Sequence, residues 1–271
     1  MDLSQIKSKL GAMQSQRQAG QKKDLSQTIW KSTEGKHSVR IVPSIFDKAN
    51  PFKEVFMHYG IGNRGMTSLI NFGEKDPIVE FAKQLRQTSD KENWSMARKL
   101  EPKMRVFAPV IVRGEEEKGV RLWEFGKQVY MELLSIAEDE DVGDYTDPVQ
   151  GRDITIETTS PETNGTNFNQ SKVRVRTKTT PLSDNAGDVK KWLNEQPNPL
   201  TLFKKYTYDE MKASLLEWLN PDQEDTTKEV AVPVESKQTA PKQDYTLNTT
   251  KKVDVDAEFD ELFKLGNKKS K

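Results

Sequence analysis

From residue 30 to about residue 220 the chain runs in short alternating segments of apolar and polar residues separated by Gly, Pro and Asn, and both flanks lack this pattern. Alternation along residues 39–42 (VRIV, stopped by Pro43), 104–113 (MRVFAPVIVR) and 120–125 (VRLWEF) predicts strands, because a period of two sorts side chains onto opposite faces. Pro109 marks the second of these as an edge strand or a bulge. Gly126 stops the third, and residues 128–137, rich in Val, Leu and Ile, follow as a helix. Residues 152–159 and 171–178 read as the arms of a hairpin, across a loop that holds the turn dipeptide Asn164-Gly165. Caps announce two more helices: Asp76-Pro77 before IVEFAKQL, and the capping box Thr207-x-x-Glu210 before MKASLLEWL, which Asn220-Pro221 ends. At least five strands and three helices result, a mainly β core with added helices (α+β).

The flanks follow other rules. Residues 1–31 hold six basic residues against two acidic ones, and Leu3, Ile6, Leu10 and Met13 share one face of a short helix. This N-terminal basic arm, taken as residues 1–27, either docks on its own core or reaches a neighbouring molecule. Residues 221–252 lose aromatics and gain Asp, Glu, Lys, Gln, Thr and Pro, which predicts a disordered linker, since such a segment buries too little apolar area to offset its ordering entropy. Beyond it, residues 253–263 (VDVDAEFDELF) carry five acidic residues and no basic one. A helix there sets Phe259, Leu262 and Phe263 on one face with carboxylates such as Asp256, Glu258, Asp260 and Glu261 around them, a pattern suited to a basic groove on a partner. Lys268, Lys269 and Lys271 follow this acidic tip.

Composition removes several kinds of chemistry. The 271 residues contain no cysteine and two histidines, so there is no disulfide framework, thiol nucleophile or thiolate zinc site, and no basis for a histidine-built metal centre. No apolar run reaches the length of about 18 residues that a membrane helix needs. The N-terminus lacks the apolar stretch of a signal peptide, and a soluble intracellular protein is expected. Forty-two basic residues balance 42 acidic ones, so partners must be read from local segments rather than from net charge. No phosphate-binding glycine loop, serine elbow or zinc-protease motif occurs, and no enzyme or cofactor is expected. The acidic run EDEDVGDYTD fails as a calcium loop: counted from Asp139, Asp144 stands where the glycine belongs and Gln150 where the bidentate glutamate belongs. A nuclease built on those carboxylates is the least supported reading.

What remains is the pairing of cations with aromatics. Between Arg98 and Lys127 lie eight basic residues, interleaved with Trp123 and Phe125 and preceded by Trp94. In SKVRVRTK, alternation places Lys172, Arg174, Arg176 and Lys178 on one strand face and Val173 and Val175 on the other. Such a row repels itself unless a polyanion lies along it, or else protects a sheet edge from pairing. Cationic grooves with aromatic faces are what single-stranded nucleic acid needs. The phosphate-contact candidates are Arg98, Lys99, Arg105, Arg113, Arg121, Lys127, Lys172, Arg174 and Arg176; the stacking candidates are Trp94, Trp123 and Phe168.

The order of segments resembles the single-stranded DNA-binding, or helix-destabilising, proteins of T4-like tailed bacteriophages. The shared features are Trp30-Lys31, Val39-Arg40-Ile41-Val42-Pro43-Ser44, Pro51-Phe52, His58-Tyr59-Gly60 and Arg98-Lys99. They continue with Pro109-Val110-Ile111-Val112-Arg113, the stretch from Gly119 to Phe125-Gly126-Lys127, and Asn167-Phe168 before Ser171-Lys172. The resemblance spans roughly residues 28–218 and implies an OB-fold core, residues 28–220, that holds single-stranded DNA in a cleft. It also implies an arm that binds neighbouring copies along DNA, with Lys7-Ser8-Lys9 similar to the family's cooperativity cluster. The tail, residues 253–271, would recruit phage replication and recombination proteins in the cytoplasm of the infected bacterium. The competing expectation is a scaffold that binds mainly proteins through this tail.

The resemblance places Trp123 and Phe168 among the cleft aromatics, while the family's aromatic pair near Arg105-Val106 is missing. It also implies a structural zinc held by one histidine and three cysteines. Here His58 remains, but Asp76-Pro77-Ile78-Val79 stands where a Cys-Pro-x-Cys pair would be. No metal is expected, and apolar contacts among Ile70, Phe72, Ile78, Val79 and Phe81 are expected to offset its loss.

Overall fold

The computed structural model describes residues 25–61 and 65–219. The arm with Lys7, Ser8 and Lys9, the linker, and the tail with Asp256 through Phe263 lie outside the described residues. Eight strands form one mixed sheet: β1 (Ile29–Trp30), β2 (Gly35–Ile41), β3 (Lys53–His58), β4 (Met66–Thr67), β5 (Lys103–Val112), β6 (Arg121–Phe125), β7 (Arg152–Thr159) and β8 (Gln170–Thr179). Among the described residues seven α-helices accompany them: α1 (Pro77–Gln87), α2 (Lys91–Leu100), α3 (Lys127–Ala137), α4 (Pro161–Asn164), α5 (Ala186–Asn194), α6 (Pro199–Leu202) and α7 (Tyr208–Leu219). The class is α+β.

The strand order is β1-β6-β5-β2-β7-β8, with β3 beside β5 and β4 beside β3. β1 runs parallel to β6, and the other pairs are antiparallel. Although β1 and β8 end this order, Ser32 just past β1 meets Ser171 of β8, with their hydroxyl oxygens 3.2 Å apart. The sheet is therefore rolled into a partly open barrel. Its interior is one cluster that takes Trp30, Val39, Ile41, Val110, Trp123 and Ile154 from the strands, and Val129, Tyr130 and Leu133 from α3. Val173 and Val175 of β8 pack against the same cluster. This rolled sheet is the barrel the resemblance implies.

Pro109 lies neither at an edge nor in a bulge. β5 pairs with β3 through residues 103–107 and with β2 through residues 110–112 on the same side, and Pro109 falls where the partner changes. Its missing N–H costs no ladder bond there, while its carbonyl accepts from Val42 N–H at 2.8 Å. Asn164-Gly165 does not form a two-residue hairpin turn either. It ends α4, with Gly165 in the left-handed conformation (φ 70°) that a residue without Cβ adopts freely. The two cap signals are built as read: Asp76 accepts from Ile78 N–H and Val79 N–H, and Thr207 and Glu210 exchange side-chain to backbone bonds. α2 escapes the pattern reading, since only Ala97 and Leu100 of it are buried, with Met96 packing against the same core, although Asp90 caps it by accepting from Glu92 N–H.

β8 is the last strand of its sheet, and its outer edge is occupied by side chains. Glu132 of α3 accepts from Val173 N–H at 3.2 Å, and Arg152 donates to the Thr177 carbonyl. A buried cluster fixes the far end of the strand. Arg40, wholly buried, pairs with Asp153 and donates to Thr180, while Arg113 binds the same Asp153 oxygen and the Leu182 carbonyl. Burial depresses the Arg40 pKa, an effect that the Asp153 charge opposes.

A second core joins β4, α1, α2 and α7 through Met66, Ile78, Phe81, Ala97, Leu100, Met211 and Leu215. Phe72 packs against its side, but Ile70 is exposed and does not join it. At its centre stands a polar hub rather than an apolar patch alone. Asp76 accepts from Ser68 and Leu69 N–H on one oxygen and caps α1 with the other. His58 Nε2 lies 3.1 Å from that first oxygen and Nδ1 lies 2.9 Å from the Leu100 carbonyl. Both ring nitrogens thus lie within hydrogen-bond distance of oxygen partners. Among the described residues no three His, Cys, Asp or Glu side chains converge as metal ligands. The zinc implied by the resemblance does not fit these residues.

Candidate nucleic-acid interface

A groove of about 580 Å³ opens between α2, the end of β3, the start of β5 and α7. It is lined by Tyr59, Ser95, Arg98, Lys99, Lys103 and Trp218. Arg98 and Lys99 sit in the last turn of α2, where cations suit the helix dipole. Trp94, one helical turn before Arg98, is 52% exposed, with its indole N–H on the Thr88 carbonyl and the Arg86 guanidinium over its ring. An aromatic face is thus held open to solvent beside two cations.

The positive strip continues along the outer face of the barrel. Arg105 donates to the Tyr59 hydroxyl at 3.3 Å and lies 5.6 Å from the centre of that ring. On its other side Arg105 approaches Glu124 at 3.7 Å, and Glu124 also pairs with Lys31 at 2.8 Å. Lys127 begins α3 one residue after Gly126, which itself lies beside the Arg105 guanidinium. Ser32 follows Lys31 and touches Ser171, after which the cationic row of β8 begins. A chain of contacts therefore links Arg98 to Arg176 across α2, β5, β1 and β8.

On β8 the expected alternation holds. Lys172, Arg174, Arg176 and Lys178 are exposed, and Val173 and Val175 turn toward the core. β7 places Glu157 opposite Lys172 and Thr155 opposite Arg174, which lowers the repulsion along the row without cancelling it. Lys172 and Arg174 have no ion-pair partner among the described residues. At the hairpin tip Phe168 is 64% exposed, on a loop that Asn164 and Thr166 tie to its backbone carbonyl.

Three sequence candidates stand elsewhere. Trp123 is fully buried, because residues 121, 123 and 125 face the barrel interior, where it packs on Phe125 and Trp30. No base can stack on it in this fold. Arg121 is buried on the same side and bonds Glu115 at 2.5 Å; Lys118 and Arg121 together hold the Glu115 carboxyl below the usual range. Arg113 is spent on Asp153 and the chain around Leu182. Conversely, Tyr59, Lys31, Lys103 and Trp218 line the track without having been singled out. His58-Tyr59-Gly60 was visible as a motif, but nothing local marks which of its rings faces solvent.

A sequence profile described as gp32 DNA binding protein like matches residues 33–230. No curated protein matches the chain. Among the described residues no helix is long and apolar enough to cross a membrane.

Proposed function

The chain belongs to the gp32-like family of DNA-binding proteins, and from that premise we propose that it coats single-stranded DNA cooperatively and without sequence preference during phage replication, recombination and repair. The observation that carries this reading is the contact-linked cationic track with exposed aromatics at Tyr59, Trp94 and Phe168. Phosphates run along Arg98, Lys99, Lys103, Arg105, Lys127, Lys172, Arg174 and Arg176. Bases stack on the aromatic faces, whose π surfaces accept any base. The arm, through Lys7, Ser8 and Lys9, joins neighbouring copies on the strand. The tail recruits replication and recombination proteins in the host cytoplasm. α7 ends at Leu219 with Trp218 in the groove wall, so the described chain leaves the core beside the cations that the acidic tail would cover in free protein. No catalytic step is assigned to the chain.

Titration of the full chain onto oligo(dT), with matched duplex in parallel, tests this. The single strand is expected to bind more tightly, quench tryptophan emission, and lose affinity with a logarithmic salt slope of about 0.7 per phosphate contacted. Equal or absent binding, at low salt and after removal of residues 253–271, would leave the protein-binding scaffold as the better reading. Trp94→Ala is expected to cost about 1–3 kcal/mol of single-strand affinity, with the melting temperature almost unchanged because the ring is exposed. Isothermal titration beside a melting curve checks both.

A further inference from the structure

Lys31 and Glu124 meet because of strand register. The parallel pairing of β1 with β6 sets Trp30 beside Trp123, so the next step along both strands brings Lys31 to Glu124. Arg105 reaches the same carboxylate from β5, on the face shared by Phe107 and Glu124. The carboxylate is largely enclosed, its side chain 13% exposed, while Lys31 and Arg105 are 68% and 41% exposed. Lys31 Nζ takes one oxygen at 2.8 Å and Arg105 Nε faces the other at 3.7 Å. Two cations thus converge on a singly charged group with two equivalent oxygens, the charge and shape that a phosphodiester presents with its non-bridging oxygens. Tyr59 adjoins this seat, its hydroxyl accepting from Arg105, so phosphate seat and aromatic face alternate as backbone and base do along a single strand. The cations farther along, Lys103, Lys127, Lys172 and Arg174, form no ion pair among the described residues.

We propose that Glu124 is a built-in stand-in for a DNA backbone phosphate, and that a single strand binds at Lys31 and Arg105 by taking its place. The inference rests on the single-strand reading above and adds to it Lys31 as a phosphate contact and Glu124 as a brake on affinity. Both cations are open to solvent, which keeps their pairs with Glu124 weak enough to exchange for a phosphate. While the carboxylate stays, its charge repels the incoming strand; neutralising it leaves two free cations on the track.

The test uses the full chain with Glu124→Gln and, as a second change that suits a strand, Glu124→Thr, each checked by a melting curve. Both are expected to bind oligo(dT) about 3- to 10-fold more tightly at low salt, with a salt slope steeper by about 0.7. Lys31→Ala is expected to weaken binding and flatten the slope by a similar amount. In the Lys31→Ala background the gain from Glu124→Gln should shrink. Unchanged or weaker binding by folded Glu124 variants overturns the stand-in and makes Glu124 a residue that orients Arg105. Failure of the unmodified chain to bind any single strand overturns the single-strand reading, and this inference with it.

Discussion

Asp76→Ala is expected to lose about 2–5 kcal/mol of unfolding free energy, from an uncapped helix (about 0.5–2 kcal/mol) and buried donors left without an acceptor (about 1–3 kcal/mol). The carboxylate is 2% exposed and gathers bonds from His58, Ser68, Leu69 N–H, Ile78 N–H and Val79 N–H. Its removal strands the imidazole of His58, itself wholly buried, and uncaps α1 at the same time. Denaturant unfolding followed by circular dichroism measures the loss. Acid acts on the same hub. Burial alone would raise the Asp76 pKa, but the bonds from His58 and Ser68 outweigh it and hold the carboxyl below its usual value. Its folded pKa is therefore the lower one, so its contribution is fully present above about pH 4 and fades as the pH falls through the folded value. Asp76→Asn should flatten that acid limb. A stability unchanged by either substitution would show that the hub adds nothing beyond the surrounding apolar cluster.

Converting Lys172, Arg174 and Arg176 together to alanine is expected to weaken oligo(dT) binding by about 10- to 100-fold at low salt and to flatten the salt slope by about 2. The row is exposed along the whole strand, and its neighbours offer only Glu157 as an opposing charge on the same register. Removing three like charges from one face should leave the melting temperature unchanged or slightly raised. Binding and stability are thereby separable in one variant. Wild-type affinity in a folded triple variant would assign the row to protection of the sheet edge rather than to DNA.

The parts that were legible in the sequence are those governed by local rules. SKVRVRTK reveals its cationic face because alternation along one strand is complete in itself, and the caps at Asp76 and Thr207 announce their helices because each bonds within three residues. VRLWEF reveals a strand but not which face is interior. Both faces of β6 are covered, Leu122 packing with Phe107 on one and Trp123 with Trp30 on the other, so apolar content could not tell an exposed ring from a buried one. The same blindness placed Arg113 and Arg121 on the DNA surface, since their carboxylate partners Asp153 and Glu115 sit beside them only in the fold. Lys31 was counted with the basic N-terminal flank and left out of the phosphate contacts, because its partner Glu124 lies 93 residues away across a parallel strand pair. α2 was missed for want of apolar positions, and the hub at His58 and Asp76 was read as a lost metal site rather than as a gained bonding network.

The occupied edge of β8 constrains how copies of the chain could line up on a shared strand. With the Val173 amide taken by Glu132 and the Thr177 carbonyl by Arg152, the barrel offers no ready template at those positions for a second copy to extend the sheet. The cooperative binding proposed above would then need links made by surface side chains or by the arm, which can be made and broken one protomer at a time. Crowding many copies along one polymer is the setting in which β-sheet fusion would be most damaging, and two side chains, Glu132 and Arg152, stand against it.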